Sequence, residues 1–70
     1  MDIERPFDAL NNNKGKEITV ELKNSEVYTG TLAAFDIHLN LTLANAKLDS
    51  KEVGNMIIRG DMVVTIKNLQ

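Results

Sequence analysis

Hydrophobic and polar residues alternate in two parts of this chain. Ile18, Val20 and Leu22 alternate with polar residues, which is typical of a strand with one buried face. The same alternation runs through residues 36–43. It predicts an extended segment with four aliphatic side chains on one face and polar side chains on the other. The polar face would carry a carboxylate, an imidazole and a carboxamide, which a purely structural strand does not need.

A short helix is predicted ahead of the first strand, over about 5–13. Pro6 favours a helix start, because the N–H that proline lacks would be unpaired at the first helical position anyway. Phe7 and Leu10 lie three residues apart and are expected to pack on the core from one helix face. The asparagines at 11–13 are expected to end the helix.

Turn-forming residues separate the remaining predicted elements. Residues 23–26 are predicted to form a turn with Asn24 in the left-handed conformation. Gly30 interrupts a strand pattern, which suggests a bulge or a sharp bend. Residues 47–54 are polar and are predicted to form a surface loop that connects a hairpin, followed by two apolar runs. The sequence therefore predicts a mainly β domain, 1–70, with one helix and five short antiparallel strands.

Composition limits the kinds of site that this chain can hold. It has no cysteine and a single histidine, which excludes disulfides, thiolate metal sites and histidine clusters for zinc. A core of 70 residues is marginal alone, so oligomerisation is expected to stabilise it. The net charge of −2 argues against a broadly basic nucleic-acid binder. We expect a soluble, cytoplasmic protein without metal or cofactor, and with neither membrane nor DNA as a partner.

Two segments of the chain form a pair of sequence motifs. The first, within about 17–46, is Gly30-x-Leu32-x-x-Phe35-Asp36-x-His38-x-Asn40-x-x-Leu43. The second, within about 55–68, is Ile58-Arg59-Gly60-Asp61-x-Val63-Val64. The pair resembles the two motifs of the Sm and Sm-like (LSm) family, most closely those of its archaeal small nuclear ribonucleoprotein homologues. Two scaffold positions depart from the family pattern: Met62 replaces a small polar residue, and Ser25 stands where many members have glycine.

The resemblance implies a fold and an assembly. The fold is a short N-terminal helix followed by a strongly bent five-stranded antiparallel sheet, a small open barrel. Its copies assemble into a closed homo-oligomeric ring, usually of seven subunits, with six as the alternative, in which the fourth strand pairs with the fifth strand of the next subunit. Closure would cover strand edges that are otherwise open. The apolar residues predicted to be buried at this contact are Met56, Ile58, Val64 and Ile66.

The resemblance also implies binding of single-stranded uridine-rich RNA at the central pore, one base per subunit. His38 and Arg59 match the positions that stack on the two faces of the base. Asn40 matches the residue that reads the base edge. Imidazole and guanidinium planes are suitable platforms for unstacked RNA bases, and a carboxamide offers both a donor and an acceptor to uracil.

Three further positions are carried over from the family as supports of this site. Asp36 matches a carboxylate that orders the loop, Asp61 matches an acidic residue that helps hold Asn40, and Gly60 places backbone close to the ligand. Simpler roles stay open for some of these residues. Asp36 and Asn40 could brace a turn through bonds to the backbone, and Arg59 could form an intersubunit ion pair, with Asp61 as partner.

Other functions remain as alternatives to RNA binding. The first is a ring that serves as a scaffold for protein interaction or ribonucleoprotein assembly, with little RNA specificity of its own. The second is an enzyme that uses Asp36 and His38 as an acid–base pair, but the chain lacks a nucleophile, metal cluster or phosphate loop to accompany them. We therefore predict no enzymatic activity. Whether Arg5 and Asp8 form a second RNA contact is left open by the sequence.

Overall fold

A helix of seven residues precedes five antiparallel strands in the computed structural model, which describes residues 5–69. The elements are α1 (Pro6–Asn12), β1 (Glu17–Leu22), β2 (Val27–Phe35), β3 (Leu41–Leu48), β4 (Lys51–Ile58), a 3₁₀ turn (Gly60–Met62) and β5 (Val63–Lys67). The strands form one sheet in the order β4-β3-β2-β1-β5. The predicted helix and five-stranded antiparallel sheet are confirmed. Within residues 5–69, no helix is long and apolar enough to cross a membrane.

The core lies between the inner face of the sheet and the helix. Its buried side chains come from α1 and from the first four strands: Leu10, Ile18, Val20, Leu22, Leu32, Leu41, Leu43, Ala46 and Ile58. The alternation in β1 is confirmed, because every second residue of that strand is buried. Phe7 does not pack in this core as predicted. It is 51% exposed, and its ring packs edge to face against the ring of the half-buried Phe35, with 5.2 Å between the ring centroids. Leu10 is the residue of the helix that is buried in the core.

The second strand bends where the sequence predicts a bulge. The pairing of β2 with β3 shifts register twice, between Thr29 and Thr31 and again between Leu32 and Ala34. Gly30 is buried at the first shift, and a β-carbon there would lie only 3.1 Å from the α-carbon of Ala46. Irregularities of this kind curl a small sheet on itself.

The extended segment predicted over 36–43 is wrong in its first half. Strand β2 ends at Phe35 and β3 begins at Leu41, so residues 36–40 form the connection between them. Leu39 adopts the left-handed conformation, with φ of 62°, and Ile37 is 78% exposed. Alternating polarity cannot separate a strand from a loop whose side chains bond to its own backbone.

The hairpin connection predicted over 47–54 is present, but its predicted length is wrong. Strands β3 and β4 continue through this segment, and two residues, Asp49 and Ser50, connect them. Both have positive φ, 51° and 68°, as a tight two-residue hairpin turn requires. Residues 51–55 are exposed, because β4 is an edge strand, and an exposed edge strand has the polarity of a loop.

The turn after β1 places its left-handed residue one position later than predicted. Ser25, not Asn24, has a positive φ, of 70°. Asn24 instead uses its side chain: Oδ1 accepts the backbone N–H of Glu26 at 3.0 Å, and Nδ2 donates to Oε1 of Glu26 at 2.9 Å. These bonds fix Asn24 as the first residue of an Asx turn.

We expect Ser25→Gly to stabilise the fold. Serine in the left-handed region carries a steric cost that glycine lacks, and glycine's larger loss of freedom on folding offsets part of this gain. The expected net gain in the free energy of unfolding is about 0.5 kcal/mol per subunit, measured by urea denaturation. Asn24→Gly is the matched control and should destabilise, because it removes both side-chain bonds of the turn. A loss of stability in Ser25→Gly would contradict this account of the turn.

Both outer strands of the sheet present apolar side chains to solvent. Ile57 on β4 is 71% exposed and Val64 on β5 is 58% exposed. Of the predicted contact set, Ile58 is wrong, while Met56 and Ile66 are only partly buried and stay predicted members with Val64. Ile58 is buried in its own chain, and Met56 and Ile66 pack against the same core. Ile57 points outwards because it alternates with Met56 and Ile58, and Val64 is exposed at the register shift between β1 and β5, so both are available to a partner.

Candidate functional site

The carboxylate of Asp36 organises the loop between β2 and β3. Its Oδ1 accepts the backbone N–H groups of His38, at 2.9 Å, and of Asn40, at 3.0 Å. Its own carbonyl accepts the N–H of Leu39 at 3.0 Å, and its N–H donates to the carbonyl of Asn40 at 3.2 Å. The loop is thus closed on itself by one acidic side chain and leaves His38 exposed at its tip.

The side-chain amide of Asn40 is held at both of its polar atoms. Nδ2 donates to Oδ2 of Asp36 at 2.9 Å, and Oδ1 accepts the backbone N–H of Gly60 at 2.8 Å. A carboxylate can only accept and an N–H can only donate, so this pair of partners determines which end of the amide is nitrogen. One N–H and one oxygen lone pair of the amide remain for a ligand.

Gly60 brings the 3₁₀ turn into backbone contact with the loop. A β-carbon at this position would overlap the carbonyl oxygen of His38 and would lie 3.0 Å from the carbonyl carbons of His38 and Leu39. Glycine is therefore required at this position because the two backbone segments approach each other closely, and not because its φ is left-handed. The two loops come from segments 20 residues apart and meet through the bond from Gly60 to Asn40.

Arg59 and Asp61 form an ion pair on the outer side of the 3₁₀ turn. Nη2 of Arg59 lies 3.2 Å from Oδ2 of Asp61, and the two side chains are 79% and 62% exposed. Such an exposed pair contributes little stability. The Asp61 carboxylate contacts Arg59, while the support of Asn40 comes from Asp36 and Gly60.

An open groove of about 490 Å³ lies between the loop and the end of β4. Its lining residues are Ala34, Phe35, Asp36, Asn40, Thr42, Ile57 and Arg59. The volume lies within the range of small-molecule sites. The groove combines an apolar wall with the fixed amide of Asn40 and the guanidinium of Arg59, which is an arrangement suited to a flat, hydrogen-bonding ring.

Comparisons with known proteins place this geometry in a family. The LSM domain model matches residues 8–68. The chain belongs to the LSM domain family. It is 40% identical to the snRNP Sm-like protein of Thermococcus sibiricus, over 96% of this chain and 95% of that one.

Solved structures of LSM-domain proteins share the fold throughout. The Sm protein of Pyrococcus abyssii, solved in complex with a uridine heptamer, is 40% identical, with a TM-score of 0.84 over 90% of this chain and 96% of that chain. The SmAP1 heptamer of P. aerophilum is 30% identical, with a TM-score of 0.87 over 99% of both chains. The resemblance drawn from the two sequence motifs is confirmed.

The LSM-domain motifs bring all the predicted site residues into two neighbouring loops. These residues are Asp36, His38, Asn40, Arg59, Gly60 and Asp61. The sequence missed the apolar wall formed by Ala34, Phe35 and Ile57. The alternation in β4 contains a signal for Ile57, because a buried Ile58 leaves its neighbour on the outer face.

The surroundings of Asp36 favour its charged form. The side-chain amide of Asn40 is the main cause that holds the pKa of Asp36 below its ordinary value of 3.8. The N–H groups of Asn40 and His38 and the charge of His38 act in the same direction, and partial desolvation opposes them. A lowered folded-state pKa stabilises the folded loop above the unfolded value of 3.8, and this contribution is lost as the pH falls through the lower folded value.

We expect the carboxyl group of Asp36 to titrate below pH 3.8 in the folded protein. Carbon-detected NMR of the side-chain carboxyl resonance measures this midpoint directly. Asn40→Ala removes the largest cause and should move the midpoint up towards 3.8. A midpoint at or above 3.8 in the unmodified protein would contradict the hydrogen-bonding scheme of the loop.

Proposed function

We propose that this chain forms a closed ring with copies of itself and binds single-stranded uridine-rich RNA at the central pore, one base per subunit. The observation that carries the proposal is the fixed amide of Asn40, which leaves one donor and one acceptor beside a groove suited to a flat ring. The uridine complex of the Pyrococcus abyssii protein supports the choice of ligand. The P. aerophilum heptamer supports the ring.

The orientation of Asn40 gives a physical basis for selecting uracil. Uracil presents an acceptor, O4, next to a donor, N3–H, which complements the free N–H and oxygen lone pair of Asn40. Cytosine presents a donor and an acceptor in the reverse order, which opposes donor to donor and acceptor to acceptor in the same pose. Because Asp36 and Gly60 hold the amide at both ends, it cannot rotate to suit cytosine without losing two hydrogen bonds.

Stacking by His38 and Arg59 supplies affinity in this proposal. Both side chains are exposed and end in planar groups, on the two loops that flank the base site. Stacking of a base on such planes contributes about 1–3 kcal/mol and does not depend on which base it is. The ion pair with Asp61 keeps the Arg59 guanidinium beside the turn, so it is partly positioned before RNA arrives.

Ring closure joins the sites in this proposal. Strands β4 and β5 are the two ends of the sheet within residues 5–69, and each carries an exposed aliphatic residue. Pairing β4 of one subunit with β5 of the next covers both edges and repeats the same contact around the ring. Sites linked along one RNA strand then bind with a raised effective concentration.

We also propose that the site binds RNA without cleaving it. The Asp36 carboxylate is engaged by two backbone N–H groups and the Asn40 amide, and its lowered pKa makes it a weaker base than an ordinary aspartate. Incubation of labelled oligouridine with the unmodified protein and with His38→Ala tests this. Cleavage that disappears in His38→Ala would overturn the non-catalytic assignment.

Native mass spectrometry with and without heptauridine is the first test of the proposed function. A single ring mass that increases by one RNA chain is the expected result, and the mass gives the number of subunits. Fluorescence anisotropy with labelled heptauridine then measures affinity. A ring that binds no RNA, or whose RNA affinity is unchanged in Asn40→Ala and Arg59→Ala, would favour the scaffold function instead.

A further inference from the structure

We propose that Lys23 contacts the phosphate backbone of RNA bound at the pore. This proposal rests on the function proposed above and adds to it a residue that neither of the two patterns, Gly30–Leu43 and Ile58–Val64, contains. The backbone N–H of Lys23 donates to the carbonyl of Met62 at 2.9 Å, and the N–H of Met62 donates to the carbonyl of Arg59 at 3.0 Å. The first bond ties the turn after β1 to the 3₁₀ turn, and the second lies within the 3₁₀ turn and joins Met62 to Arg59, which carries the stacking guanidinium.

The charge balance of the base site leaves a role for such a cation. Arg59 is paired with Asp61, so the turn at 59–62 has no net charge. A nucleotide that stacks there brings one negative phosphate per base. In a ring with one base per subunit, one additional positive side chain per subunit matches that charge.

Lys23 is available to supply this charge. Its side chain is exposed. Within residues 5–69, the structure shows an ion pair between Arg59 and Asp61 and none that involves Lys23. Glu26, the acidic residue of the same turn, is turned towards other groups. Its Oε1 accepts from Nδ2 of Asn24 at 2.9 Å and from the hydroxyl of Tyr28 at 3.4 Å.

The other described lysines lie at other places in the fold. Lys14 and Lys16 precede β1, at the opposite end of that strand from Lys23, a separation of roughly 20 Å for six residues. Lys67 ends β5, far along the strand from the 3₁₀ turn, and residues 47 and 51 flank the β3–β4 hairpin turn. Lys23 is thus the lysine whose backbone the β1–β5 pairing places next to the 3₁₀ turn and its neighbour Arg59.

The test is the salt dependence of RNA binding by the assembled ring. Neutralising a phosphate on single-stranded RNA changes the slope of log K against log salt by about 0.7. Heptauridine has about six linking phosphates, so Lys23→Ala should flatten the slope by up to about 4. Affinity at 0.1 M KCl should fall at least about tenfold, the preference for uridine over cytidine should persist, and Lys23→Arg should restore the slope.

Lys14→Ala is the matched control, because it removes an exposed lysine from the other end of β1. Anisotropy of labelled heptauridine between 0.05 and 0.4 M KCl gives all the slopes, and native mass spectrometry confirms that each variant is a ring. If the unmodified ring binds RNA and Lys23→Ala keeps the slope of Lys14→Ala, this inference is overturned while the proposed function stands. If the unmodified ring binds no heptauridine, both are overturned.

Discussion

Replacing Gly60 by alanine should disable the base site and weaken the fold together. The new β-carbon would overlap the carbonyl oxygen of His38, which belongs to backbone held by Asp36. Backbone of this kind cannot rotate away as a side chain could, so the two loops must separate. We expect a loss of about 3 kcal/mol per subunit in the free energy of unfolding, at the upper end of overpacking costs. Separation also breaks the hydrogen bond from the N–H of Gly60 to Asn40. Because each well-paired base contributes about 1–3 kcal/mol of discrimination, the affinity for heptauridine should fall at least about a hundredfold.

Gly15→Ala separates this effect from the general cost of replacing a glycine. Gly15 has φ of 86° and no atom within 4 Å of the position of a β-carbon, so alanine there meets strain but no collision. It should cost about 1 kcal/mol and leave RNA affinity unchanged. Urea denaturation and anisotropy measure the two effects. Normal stability and normal binding in Gly60→Ala would show that the loops do not approach each other as closely as described.

The sequence predicted the members of the site better than it predicted their local structure. Aspartate and asparagine side chains form hydrogen bonds to the backbone, and glycine permits close approach of another backbone segment. The order of these residues in the two motifs indicates the fold of one family. The same residues give a misleading pattern for secondary structure. Residues 36–40 alternate like a strand, yet the Asp36 carboxylate bonds to two N–H groups and leaves the loop outside the ladder. Local side-chain bonds and strand pairing compete for the same backbone groups.

The parts of the site that the sequence did not predict depend on contacts between distant segments. Ile57 joins the groove because the β3–β4 register buries Ile58 opposite Leu41 and turns Ile57 outwards. Lys23 lies beside the 3₁₀ turn because β1 pairs with β5, more than 40 residues further along the chain. The hairpin connection at 49–50 was predicted too long for a different reason: an exposed edge strand and a loop have the same polarity, and only pairing distinguishes them.

Asn40→Ala should abolish the preference for uridine while leaving the ring intact. The side chain is half-buried at the surface of the groove and outside the core, so its removal should not prevent folding. Each base loses a donor and an acceptor that together contribute about 1–3 kcal/mol of discrimination. The loss is repeated at every subunit that the RNA reaches, so we expect at least about a hundredfold weaker binding of heptauridine. Stacking on His38 and Arg59 remains, so heptauridine and heptacytidine should bind the variant about equally, in the weak range that stacking and charge provide.

Asp36→Ala tests whether the preference for uridine depends on the fixed orientation of the Asn40 amide as well as on its presence. It leaves Asn40 in place but removes the partner of Nδ2 and the acceptor of two loop N–H groups. The amide is then held at one end by Gly60 alone, so it can turn and the preference for uridine over cytidine should shrink without vanishing. Asn11→Ala, on the exposed surface of the helix, is the matched control and should bind both RNAs as the unmodified ring does. Competition anisotropy with the two homopolymers ranks the variants. If Asn40→Ala retains the full preference for uridine, base selection lies elsewhere in the groove and the role proposed for the fixed amide is wrong.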